Sequence, residues 1–241
     1  MKDLAIVIPC YNEATRLPVE GYRGFLNKKK NIHLLFVNDG SKDQTLTVLQ
    51  SLADEFPEQV KCFDLLTNKG KAEAVRAGIQ KLADEPFEKL AYLDADLATS
   101  LEECEVLSKA ISPDIQFVFG SRILKIDNHI QRKWYRFVIG RIVATVISWM
   151  LGIKVYDTQC GCKIFKRDLA QELFHQPFIS KWLFDVELFF RMIRKVGRHQ
   201  MGILTKEVPL KRWVDTEDSR VEFRYIFVLW LDLIKIYKTY R

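Results

Sequence analysis

Four short clusters of polar residues stand out because each directly follows an apolar run of strand-like character. They are Pro9-Cys10-Tyr11-Asn12-Glu13, Asn38-Asp39-Gly40-Ser41, Asp94-Ala95-Asp96 and Gly120-Ser121-Arg122. In an open parallel sheet, ligands bind beyond the carboxyl ends of the strands, so carboxylates and an arginine gathered there mark a candidate site. Asp94 and Asp96, two apart on an extended backbone, would point to the same side. Like charges held together repel, which favours a bridging cation. All-oxygen ligation suits Mg2+ or Mn2+, ions that keep waters and substrate phosphates in their shells. Each cluster taken singly also has a plain structural explanation. Asp39-Gly40-Ser41 reads as a turn leading into a helix N-cap at Ser41, and the aspartate pair as a solvated strand end.

Other chemistries find little support. The segment NKGKAEAVRAG holds Gly70 and Gly78 but no GxGxxG, and no GxxxxGK[ST] phosphate loop occurs. Lys69 and Lys71, at the start of a helical pattern, could still meet a diphosphate through charge and free backbone N–H groups. His33, His129, His175 and His199 are scattered, and none lies in a triad-like setting. The five cysteines form no CxxC pair and read as reduced thiols of a cytosolic protein.

The elements that must position these clusters alternate through the first half. Apolar runs at 4–9, 33–37, 60–63, 89–93 and 115–119 read as buried strands, and Ser41–Phe56 and Lys71–Leu82 as helices. Such alternation predicts βαβ units and a mainly parallel central sheet flanked by helices. In the second half, residues 130–153 read as one greasy helix with a narrow polar stripe of Arg141, Thr145, Ser148 and Gly152. Beyond it the pattern gives helices near 167–174 and 183–196, strands near 164–165 and 203–210, and an amphipathic helix over 221–241. The 241 residues show no repeat or flexible linker and fit a single domain.

Composition narrows the partners. Thirty-seven basic against 31 acidic residues give a net charge of +6, which points to an anionic partner. The basic residues crowd between Arg122 and Arg141, with Lys125, Arg132, Lys133 and Arg136 between them. That run lacks the patterns of nucleic-acid readers, so no nucleic acid is expected. The longest apolar stretch, 142–153, is far short of the ~20 residues a spanning helix needs, and the polar start predicts no signal peptide. The helices at 130–153 and 221–241 carry Trp134, Trp149 and Trp230 beside basic groups, a composition that suits the plane of a membrane surface or packing in a homo-oligomer.

The ordered motifs IVIPCYNE, VNDGSKD, NKGKAEAVRAG, DADL, GSR, DTQCGCKIF and WLFDVELFFR resemble the family-2 inverting glycosyltransferases of the GT-A fold. Within them the chain looks most like dolichyl- and polyprenyl-phosphate glucosyltransferases, with the mannose synthases next. The resemblance implies a GT-A nucleotide-diphospho-sugar transferase in which residues 1–122 bind the donor and 123–220 the acceptor. By it, Pro9, Tyr11, Asn12, Glu13, Asp39 and Gly40 would hold base and ribose, with Lys71 beside the donor. Asp94 and Asp96 would be the DxD pair contacting ribose and Mg2+ or Mn2+. Arg122 and Lys163, with Arg132, would face the acceptor phosphate. Ala98 stands where mannose synthases tend to carry Gln, which points away from a third protein ligand and from mannose.

The implied reaction moves glucose from UDP-glucose to a polyprenyl phosphate, on the cytoplasmic face of a membrane, with a membrane-anchoring partner as one option. Charge building on the departing diphosphate needs a cation and lysines nearby. A lipid phosphate arrives ionised and needs no general base, whereas a sugar hydroxyl would need one. Asp157 and Asp185 are the candidates for that base, or else they orient neighbouring Arg and Lys residues. Mannosyl transfer from GDP-mannose, transfer to a polysaccharide hydroxyl, and a non-catalytic nucleotide-binding module are the alternatives.

Overall fold

A strand whose middle is an unbroken apolar run can be buried on both faces, and β1 (Lys2–Cys10) does this from Leu4 to Ile8, all fully inaccessible. The computed structural model describes residues 2–124, 126, 128–131, 134–214 and 225–241. β1 lies at the middle of a parallel block with β2 (Ile32–Asp39), β3 (Val60–Leu65) and β4 (Phe87–Leu93), in the order β3-β2-β1-β4. The carboxyl ends of β1, β2 and β4 therefore share one edge. Helices α1 (Val19–Lys28), α2 (Thr45–Glu55) and α4 (Leu101–Ser108) cover one face, where Tyr22, Leu49 and Leu107 join the core. On the other face α3 (Lys71–Ala83), α5 (Trp134–Leu151), α6 (Arg167–Leu173), α7 (Phe184–Leu204) and α8 (Tyr225–Tyr240) pack Ile79, Ile147, Leu169, Phe189 and Leu233 together.

The sheet is mainly parallel, as the alternation predicts, with one reversal. β7 (Cys162–Lys166) inserts antiparallel between β4 and β5 (Phe117–Ser121), and β8 (Thr205–Pro209) completes the sheet parallel to β5. One sheet thus runs through both the 1–122 and the 123–220 portions. Two expectations give way. Helix α2 starts at Thr45 rather than after Ser41, because the Asp43 carboxylate takes the Thr45 N–H at 3.0 Å and Ser41 is used elsewhere. The helix expected over 130–153 starts at Trp134. Residues 129–131 instead form strand β6 (His129–Gln131), paired with β9 (Arg212–Val214), a partner remote in sequence.

Helix α8 is latched onto the domain by polar contacts. Ser180 Oγ donates to Asp232 Oδ2 at 2.6 Å, and Tyr240 Oη donates to Glu187 Oε1 at 2.8 Å. Glu187 is fully buried and also accepts from Arg191 and the Ile179 N–H. Apolar side chains nonetheless face out from two helices: Val138, Ile142 and Trp149 on α5, and Val228, Leu231 and Ile234 on α8. Among the described residues, no helix is long and apolar enough to cross a membrane.

Candidate functional site

The tips of β1 and β2 are tied to one another by side-chain bonds to loop backbone. The Asn12 N–H donates to Ser41 Oγ at 3.0 Å, and the Lys42 N–H to Asn12 Oδ1 at 2.8 Å. The Glu13 N–H donates to Thr45 Oγ1 at 2.7 Å. Asn12 holds a positive φ of 50°, a conformation Asn tolerates better than most residues. Pro9 and Tyr11 sit half-buried beside these loops. Asp39 is 2% exposed, and its two oxygens accept the Lys69 and Gly70 N–H groups, both at 2.8 Å. Burial raises the Asp39 carboxyl above its ordinary value despite those two bonds. Gly40, at φ 62°, lets the chain pass this loop, since a Cβ there would lie 2.4 Å from the Asn68 nitrogen.

The same loop begins α3 and delivers Lys71, whose Nζ lies 2.5 Å from Asp94 Oδ1. Burial would pull the Lys71 ammonium down, but Asp94, Asp185 and Asp96 outweigh it and leave its pKa raised. Asp94 and Asp96 do not continue the extended strand. They occupy a turn in which the Leu97 N–H reaches the Asp94 carbonyl at 3.4 Å and the Ala98 N–H reaches Asp96 Oδ1 at 3.0 Å. Tyr22 anchors that turn from beneath through its bond to the Ala95 carbonyl at 2.9 Å. Burial pushes the Tyr22 phenol up, and the charges of Cys10, Asp96, Asp94 and Glu13 push the same way. Gly161 backs the turn: a Cβ there would sit 2.0 Å from Asp94 Oδ2.

Asp94 and Asp96 offer hard oxygen donors, and no group of three His, Cys, Asp or Glu side chains that could hold a metal occurs among the described residues. Two carboxylates fit a divalent cation that takes its remaining ligands from diphosphate and water.

Across the site, Arg122 and Asp157 form a two-pronged pair, Nε to Oδ2 at 2.6 Å and Nη2 to Oδ1 at 2.8 Å. The guanidinium also lies 5.3 Å over the Trp213 ring. Glu207 on β8 accepts the Tyr156 and Asp157 N–H groups at 3.0 and 2.9 Å and so fixes the segment that carries Asp157. Lys163 departs from expectation. It is fully buried on β7, donating to Asp185 Oδ1 and to the Cys160 carbonyl at 2.8 Å, and so lies under the site rather than facing an acceptor. Its burial follows from its place between Tyr92 and Phe119 in the sheet. Tyr92 Oη donates to the same Asp185 oxygen. Of the roles open to Asp157 and Asp185, the geometry of each fits the orienting of a cation. Arg132 and Lys133, with Lys125, lie outside the described residues. Asp43, Thr45, Tyr22, Gly161 and Glu207 join the site without having been named for it, and Ser41, read as a helix cap, holds Asn12 instead. Of these, Ser41 and Asp43 stand inside the motif VNDGSKD and Gly161 inside DTQCGCKIF.

Burial would raise the Asp157 carboxyl, but Arg122 outweighs it and holds the group at about 2. A carboxylate depressed from its ordinary ~3.9 contributes stability that is present above that value and lost as pH falls through the folded one. We therefore expect the stability difference between the wild type and Asp157→Asn, measured by urea unfolding, to shrink by about 2 kcal/mol as pH drops from about 5 to about 2. A difference that holds constant with pH would contradict the depressed carboxyl.

The glycosyl transferase family 2 model matches residues 5–174. The dolichyl-phosphate beta-glucosyltransferase of Homo sapiens is 33% identical, over 95% of this chain and 78% of its own length. A dolichyl-phosphate beta-glucosyltransferase of Trichomonas vaginalis is 31% identical, over 97% of this chain and 72% of its own. Among solved structures, glucosyl-3-phosphoglycerate synthase from Mycobacterium tuberculosis, in complex with Mn2+, UDP and glucosyl-3-phosphoglycerate, superposes with a TM-score of 0.66. That match covers 98% of this chain and 77% of the other at 15% identity, a likeness of fold. With its parallel sheet, its aspartate turn and these matches, the chain belongs to glycosyl transferase family 2.

Proposed function

We propose that this enzyme transfers glucose, with inversion, from UDP-glucose to a polyprenyl phosphate of the dolichyl type at the cytoplasmic face of a membrane. The observation that carries this reading is the state of the acceptor-side carboxylates. Asp157 is engaged by Arg122, and Asp185 by Lys163 and Tyr92. Neither is set up as a general base, so the arrangement suits an acceptor that arrives already ionised. The activity for which the human and Trichomonas relatives are named supports glucose and a dolichyl phosphate.

On this reading the β1 and β2 tips, with Glu13 and Asp39, bind the nucleoside. Asp94 and Asp96 would hold Mg2+ or Mn2+, which when bound neutralises charge on the diphosphate. Lys71 stands beside Asp94 and stabilises the negative charge that builds on the leaving group. Arg122, held in plane by Asp157, keeps N–H groups for the acceptor phosphate. The anomeric carbon–oxygen bond to the diphosphate breaks as the acceptor phosphate oxygen attacks from the opposite face, and no proton needs to move. The outward apolar residues of α5 and α8 would rest on the bilayer that holds the lipid tail.

Incubation of the purified protein with UDP-glucose, Mg2+ and a short polyprenyl phosphate should yield lipid-linked glucose with inverted configuration. Formation of product only from GDP-mannose would reassign the sugar. Glucosylation of soluble saccharides, with the lipid phosphate untouched, would reassign the acceptor.

A further inference from the structure

The polar stripe read from the sequence of α5 borders a groove rather than a plain helix surface. Arg141, Thr145, Ser148 and Gly152 turn toward the 152–155 segment and line an open groove of about 420 Å3 with Trp149 and Lys154 among its walls. Arg141 spends one N–H on the Tyr156 carbonyl at 2.7 Å and stacks its guanidinium 3.6 Å over the Tyr156 ring. A guanidinium carries five N–H donors, so most of its capacity stays available. Lys154 is exposed and enters no ion pair among the described residues. The lining contains no Asp or Glu.

A helix C-terminus would ordinarily repel an anion, because its last carbonyls are unsatisfied. Here those of Ser148, Trp149 and Leu151 are taken, and so is that of Ile153 just beyond the helix. Arg198 Nε donates to the Leu151 carbonyl at 2.8 Å, Ser148 Oγ to that of Ile153 at 2.6 Å, and the Gly152 N–H is shared by Ser148 and Trp149. Arg198 brings a third cation to this end of the helix. The outward Trp149, 79% exposed, and Ile142, two turns before it, share the stripe that borders the groove. A phosphate collar above an apolar edge with an aromatic at the boundary matches the layering of a lipid headgroup over its acyl chains.

We propose that this groove seats the phosphate of an anionic phospholipid, held by Arg141 and Lys154, while Trp149 and Ile142 enter the acyl boundary beside it. The site is distinct from the Arg122 pair and sets how the enzyme lies on the bilayer; it rests on the membrane reading above. The test is co-sedimentation of the full chain with phosphatidylcholine vesicles, alone or containing phosphatidylglycerol. Wild type should bind the mixed vesicles more tightly, and the difference should fade with added salt. Lys154→Glu, at an exposed position, should weaken binding to the mixed vesicles roughly 30-fold, at about 1 kcal/mol per unit of charge near an anionic surface. Its binding to neutral vesicles and its turnover of a water-soluble short-chain acceptor should be unchanged. Equal binding of Lys154→Glu and wild type to the mixed vesicles would overturn the site. So would wild-type binding that ignores phosphatidylglycerol, or glycerol 3-phosphate bound in solution as tightly as the vesicles. Failure of the wild type to bind any vesicle would instead strike at the membrane reading itself.

Discussion

Asp96→Asn will lower glucosyl transfer by roughly 100- to 1000-fold while leaving the folded protein intact. The oxygen that accepts the Ala98 N–H at 3.0 Å is kept in asparagine, so the turn survives. What is lost is a unit of negative charge where Asp94, Asp96 and Lys71 meet. Hydrogen bonds and shape are conserved, so the fall should appear in transfer and in metal-dependent retention of UDP, and not in the melting temperature. Asp94→Asn should behave alike in activity but also release Lys71 from its ion pair at 2.5 Å. Full activity in Asp96→Asn, with a normal melting curve, would remove the aspartate turn from the chemistry.

The second large effect is on stability. Asp185→Ala leaves Lys163, fully inaccessible, without its counter-charge, and leaves the Tyr92 hydroxyl without its acceptor. Removing one partner of a buried pair costs about 3–5 kcal/mol. At the size of this chain that corresponds to a fall of about 10 °C in melting temperature. The double variant Lys163→Met, Asp185→Asn removes both charges and keeps an oxygen for Tyr92. It should recover more than half of the loss, because paired charges can be replaced by neutral groups at little cost. Urea unfolding of the three proteins checks this: a double variant as unstable as Asp185→Ala would show that the ion pair is not what Asp185 supplies.

The parallel block of the fold was legible because burial on both faces leaves an unmistakable mark. Runs such as LAIVI and LLFV admit no polar residue, and the polar segment after each run must turn the chain. The placing of Asp39, Asp94 and Asp96 at one end of the sheet was legible for the same reason, since each comes just after such a run. Short elements set by distant partners were not. Strand β6 exists because the His129 N–H finds the Lys211 carbonyl at 2.8 Å, which no local pattern announces. Ser41 has the composition of a helix cap, yet its hydroxyl holds Asn12, a contact across 29 residues of chain. Lys163, which the resemblance set toward the acceptor, differs for another reason: only the tertiary placement of Asp185 makes its burial tolerable, and no local pattern announces that. The helices α1 and α4 have weak local signals and were not anticipated; α1 begins after Pro18, and α4 is capped by Ser100.

The reversed strand in the middle of the sheet bears on how the molecule can come together. During synthesis β5 emerges some forty residues before β7, yet β5 touches β4 only through β7. Until residues 162–166 are made, β4 and β5 each keep a raw edge, and the nascent chain cannot close its sheet. A fragment ending after Arg122 would inherit the same open edge, so residues 1–122 are not expected to persist alone as a soluble unit. The step that joins β4 to β5 also carries Gly161 and Asp157 to their places beside Asp94 and Arg122, so bridging the sheet and gathering these residues are a single event.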